Sequence, residues 1–147
     1  MRKSLAGELK DALAKNQPVK KAPDEKEPAI GELAERIFTT RTLLHFDHWK
    51  TGSFSAHSAL GELYDDIVDA VDDMVETYQG EFDTILSGLE CECCSQPESI
   101  ITRIKEDADW IKANRKEIAN GSTVIENLLD GLSGLFNKAL YKLKNLH

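Results

Sequence analysis

From Ala29 onward the apolar residues recur every three or four positions, and no stretch alternates apolar with polar residues as a half-buried strand would. Ile30, Leu33, Ile37 and Leu44 make one stripe and predict a helix over roughly 29–50. Leu60, Ile67, Val71, Met74 and Tyr78 make a second, over roughly 54–79. Pro97 suits a first helical turn and Gly121 a stop, so a third helix is expected between them. The last begins after Ser122 and runs to the C-terminus through Ile125, Leu128, Leu132, Leu135, Ala139 and Leu143. Gly131 and Gly134 weaken it locally and predict a close helix crossing there. Four such helices, with the tight turn Thr51-Gly52-Ser53 between the first two, predict an all-α antiparallel four-helix bundle over 29–147. The stretch "GEFDTILSGLECECCSQ" is then a long crossover between helices two and three, in which Phe82, Ile85, Leu86 and Leu89 are spaced to form a short extra helix.

The chain before Ala29 has a different character. "NQPVKKAPDEKEP", residues 16–28, holds three prolines and many charges and reads as a flexible linker. Leu5, Leu9, Ala12 and Leu13 have helical spacing, which predicts a short amphipathic helix over 4–15. Residues 1–28 carry seven Lys and Arg against five Asp and Glu, whereas residues 29–147 carry eleven against twenty-one. That acidic body disfavours nucleic acid on the folded surface and accommodates cations. No run of apolar residues is long enough to cross a membrane. Glu8, Lys10 and Asp11 interrupt the first residues, which lack the apolar centre of a signal peptide, so a cytoplasmic protein is expected.

Candidate chemistry concentrates in "HFDHWKTGSFSAH", residues 45–57, which holds three of the four histidines and Trp49. Three imidazoles this close fit a metal site or the packed end of a helix. At 100° per residue His48 falls at the centre of its helix's apolar stripe, His45 at its edge, and His57 on the flank of the next helix. Asp65, Asp69, Asp72 and Glu76 form one carboxylate stripe pointing away from the core, a solvated face or a cation-binding one. His57 and Asp72 are about 22 Å apart along a straight helix, so imidazole and carboxylate cannot meet on one metal within one chain. The spacing predicts a site between two chains or none. The in-bundle di-iron motif, Glu three residues before His, is absent: Thr42, His45, Phe54 and Lys144 hold those positions.

The combination "HFDHW", a short loop, and "AHSALGELYDDIVDAVDDMVETYQG" resembles the miniferritins, the DNA-binding proteins from starved cells (Dps). His48-Trp49, His57, and then Asp72 and Glu76 at the family's offsets carry the likeness, which is clear over about 40–80. The resemblance implies a ferritin-like bundle assembled into a dodecameric shell, with iron sites at two-fold dimer interfaces. It implies His48 and His57 as ligands from one chain and Asp72 and Glu76 from its mate, Glu76 bridging two irons. It also implies Trp49 as an electron donor, Fe(II) oxidation by hydrogen peroxide or oxygen, and storage of the ferric product. Two departures stand out. Gly61 occupies the place of the family's aspartate, with Glu62 pointing about 100° away, and the nine residues from His48 to His57 make a shorter turn than the family's. Both weaken a second iron position and leave a mono-iron site open.

Cys91, Cys93 and Cys94 in the crossover lack zinc-knuckle spacing; they are unpaired loop thiols, or a soft-metal or redox cluster completed by other chains. Arg2, Lys3, Lys10, Lys15, Lys20 and Lys21 resemble the lysine-bearing tails that some Dps proteins use on DNA. Many copies on a shell would bind DNA weakly and with strong salt dependence. The same tail also reads as a solubilising linker or a partner-docking segment. The competing function class is a non-enzymatic ferritin-like structural or DNA-binding shell with a degenerate metal site.

Overall fold

The computed structural model describes residues 28–90 and 99–146. They form four helices, with no strand among the described residues: α1 (Ala29–Lys50), α2 (Phe54–Phe82), α3 (Ile100–Ala119) and α4 (Thr123–Asn145). Three of them begin at a serine whose hydroxyl accepts a backbone N–H of the first turn: Ser53 from Ala56, Ser99 from Thr102, and Ser122 from Ile125. These caps satisfy donors that the helix itself leaves free. The α2 and α3 helices stop at Asp83 and Asn120, both in the left-handed conformation, and Gly121, at φ 86°, completes the turn into α4.

The helices pack as a ring in which α1 touches α2 and α3, and α4 touches α2 and α3. Hydrogen bonds fix their directions. Ser55 Oγ donates to the Leu146 carbonyl at 3.0 Å, so α2 begins where α4 ends. At the other end Ser122 Oγ donates to Glu81 at 2.7 Å, so α2 ends beside the α3–α4 turn. Neighbouring helices are therefore antiparallel, and α2 and α3 run the same way. Ile30, Leu33, Ile37 and Leu44 are fully buried, and meet Leu60, Ile67, Val71, Met74 and Tyr78 as their spacing predicts.

Four expectations need correction. The α2 helix runs three residues further, through Phe82. The α3 helix starts at Ile100 because Ser99, extended at φ −156°, caps it; Pro97 lies outside the described residues. No helix forms over 84–90. Phe82 closes α2, Gln79 Oε1 draws the Leu86 N–H at 2.9 Å, and Glu35 draws that of Glu90 at 2.7 Å, so side chains take the donors a helix would use. Gly131 and Gly134 mark no close crossing: both are exposed, and a β-carbon at either would meet nothing within 4 Å. In α4 the fully buried residues are Ile125, Leu129, Leu132 and Phe136, while Leu128, Leu135 and Leu143 are half-buried flanks. No described helix is long and apolar enough to cross a membrane.

One polar cluster interrupts the α1–α3 contact. Asp107, 1% exposed, accepts from Arg36 Nη2 at 2.8 Å, Arg103 Nε at 3.1 Å and the Thr40 hydroxyl. The Arg36 guanidinium also lies over the Trp110 ring at 4.9 Å. Removing the carboxylate takes the Asp107 bond from two part-buried guanidinium groups, of which Arg103 keeps the Thr40 hydroxyl and the Arg36 carbonyl. Asp107→Ala is expected to lower unfolding stability by about 3 kcal/mol in urea titrations, with Asp107→Asn intermediate.

Candidate metal centre

His48 sits in the last turn of α1 and His57 in the first turn of α2. The Thr51-Gly52-Ser53 turn folds them together until their rings stack, with centroids 3.6 Å apart and planes 25° from parallel. His48 Nδ1 donates to the His57 carbonyl at 2.8 Å, and His57 Nδ1 donates to the His48 carbonyl at 3.0 Å. A carbonyl only accepts, so each Nδ1 is assigned the ring hydrogen; in the neutral ring each Nε2 then keeps a lone pair. The His48 carbonyl lies in the last turn of α1, where backbone acceptors lack intrahelical partners. His57 supplies one.

Around this pair lies a stack of rings. Tyr64 packs against His45 at 4.3 Å and meets His48 edge-on at 5.3 Å. The Arg41 guanidinium lies over the Tyr64 ring, 5.5 Å from its centre. Trp49 contacts His45 at 4.3 Å and is 66% exposed. Tyr64 had no place in the sequence reading. Seven residues after His57 it returns to nearly the same helix face, and that spacing is the signal that would have found it.

The carboxylates behave as the axial distance requires. Asp65, Asp69, Asp72 and Glu76 are all exposed on α2. Asp65 and Asp69 line an open groove with Phe38, Arg41, Thr42, Tyr64 and Val68. Asp72 and Glu76 lie about 22 and 28 Å along α2 from His57. The fold thus joins His48 to His57 and keeps both apart from Asp72 and Glu76. Among the described residues no group of three or more His, Cys, Asp or Glu could hold a metal ion. Cys91, Cys93, Cys94 and the basic residues Arg2, Lys3, Lys10, Lys15, Lys20 and Lys21 lie outside the described residues.

Gly61 lies against the His48 ring. A β-carbon there would come within 3.2 Å of His48 Cε1 and 3.4 Å of His48 Nδ1. Glu62 is turned away toward α4, where it pairs with Lys142 and, at 3.9 Å, with Lys138.

A family of unknown function, DUF5856, matches residues 48–143. The chain belongs to that family. The DUF5856 match takes in both stacked histidines, Gly61, the acidic face of α2, and α3 with most of α4. No curated protein and no solved structure matches the chain.

The hydrogen bond from Lys142 and the Lys142 charge, aided by Lys138, hold the Glu62 carboxyl below its ordinary 4.5 despite some opposing desolvation. A folded-state value below the unfolded one stabilises the fold above pH 4.5, and the contribution is lost as pH falls through the lower value. In a carboxyl NMR titration Glu62 is expected to titrate below 4.5, and Lys142→Ala to return it toward 4.5.

Proposed function

We propose that the chain is a ferritin-like bundle of the Dps type that takes Fe(II) as substrate and oxidises it at sites formed between two-fold-related chains. The observation that carries this reading is the histidine pair. Each ring spends Nδ1 on a backbone carbonyl and offers Nε2, the arrangement in which imidazoles commonly bind metals. Mixed imidazole and carboxylate donors suit iron.

The two chains have defined roles. His48 and His57 of one chain face Asp72 and Glu76 of the other, with Glu76 placed to bridge if two irons bind. A two-fold axis repeats the arrangement, so each dimer holds two sites. Trp49, one ring contact from His45, donates an electron when the oxidant takes two and the iron gives one. Hydrogen peroxide or oxygen is the oxidant, and the ferric product collects inside a shell of about twelve chains.

Two further observations support the ferritin-like assembly. The α2 and α3 helices run parallel, the relation that the second and third helices have in a ferritin-like bundle. Phe38 and Trp49, on one stripe of α1, are 47% and 66% exposed beside the acidic face of α2, an apolar patch that a second chain would cover.

One observation favours a second reading, a non-enzymatic or DNA-binding shell working through residues 1–28. Gly61 brings no carboxylate, and the His48 ring lies against it. Iron turnover separates the two readings, because the interface site can be split between chains. His57→Ala and Glu76→Ala are each expected to lose Fe(II)-dependent peroxide consumption. Mixed and reassembled, they recover about a quarter of wild-type turnover, since half the dimers carry one intact site of two. No recovery on mixing sinks the shared site. DNA retention that disappears with residues 1–28, in a chain without iron turnover, establishes the second reading.

A further inference from the structure

Gly61 and the nine-residue spacing from His48 to His57 count, on the sequence, against a second iron. In the fold they are the two things from which the histidine pair is built. The short turn sets the carbonyl of each histidine against the ring of the other, which is why both bonds form together. Gly61 supplies the room. Its missing β-carbon would sit 3.2 Å from His48 Cε1 and 3.4 Å from His48 Nδ1, the atom that donates. A methyl group there obliges the His48 ring to give by a few tenths of an ångström beside the atom that bonds the His57 carbonyl.

We infer that Gly61 is a positioning residue that closes this reciprocal clasp by admitting the His48 ring against α2. The clasp holds both neutral imidazoles in the Nδ1–H tautomer, so that each Nε2 keeps a lone pair able to bind a divalent cation of borderline softness. The free histidine side chain prefers the opposite tautomer, with hydrogen on Nε2, and must rearrange before it binds a metal through that atom. Here the rearrangement is already made by two backbone carbonyls. The cation part of the inference rests on the reading proposed above; the tautomers and the role of Gly61 rest on the clasp alone.

The test uses the full chain, labelled with 15N-histidine, metal-free, at about pH 8, above the ordinary imidazole range. Long-range 1H–15N spectra should show protonated Nδ1 and bare Nε2 for both His48 and His57. Gly61→Ala should return His48 to a mixture dominated by the Nε2–H form and weaken Co2+ binding about 10–100-fold, as loss of a ligand's outer partner does. Gly134→Ala, an exposed helical glycine with open space at its β-carbon, should change neither and controls for helix propensity. Inserting three residues after Gly52 breaks the clasp with Gly61 intact and should give the same tautomer loss. An Nε2–H tautomer in the wild type, or wild-type tautomers in Gly61→Ala, overturns the inference. Wild-type protein with the expected tautomers but no Co2+ binding removes the cation part, together with the metal reading it rests on, and leaves Gly61 as the residue that positions His48.

Discussion

A straight helix keeps His57 about 22 Å from Asp72 and further from Glu76, and α2 is one unbroken helix from Phe54 to Phe82. That separation governs what this bundle can do with its polar residues. The histidines are drawn into the α1–α2 turn, where the chain reverses and two backbones come close. The carboxylates are carried away from the core along an exposed face. Neither set is a complete donor group on its own. A metal site that uses both must span two chains, and Phe38 and Trp49 are exposed on α1.

Two polar clusters bind helices to each other, one at the exposed α1–α2 turn and one inside the apolar core. At the α1–α2 turn the imidazoles exchange bonds with carbonyls, joining the end of one helix to the start of the next. Between α1 and α3 the Asp107 carboxylate gathers Arg36, Arg103 and Thr40. The Asp107 cluster satisfies groups that would otherwise be buried without partners, and both clusters fix register as well as contact. The difference lies in what is left over. Asp107 is 1% exposed and enclosed by its donors, whereas each histidine keeps an unspent nitrogen near the surface.

Much of this was legible because helical periodicity is a strong signal. The buried stripes of α1 and α2 and the outward carboxylates follow directly from spacing. What escaped depended on tertiary competition. Asp107 reads as one more acid on a charged helix until Arg36 and Thr40 are placed beside it from 71 and 67 residues away. Ile85, Leu86 and Leu89 have helical spacing, but the amides of Leu86 and Glu90 are taken by Gln79 and Glu35. Gly131 and Gly134 looked like a packing contact and face open space, since a glycine's spacing says nothing about which side of a helix is covered. Gly61 looked like a loss and is the seat of His48, a fact that only the distance to the ring reveals.

The central claim is that one chain holds half a site, so mass and metal must be read on the same sample. Light scattering with anaerobic Fe(II) titration does this. The account predicts an assembly of two chains or a multiple of two, binding one or two irons per chain, with binding lost when the assembly is dissociated. A stable monomer, or a monomer that binds Fe(II) as tightly as any assembly, would contradict it.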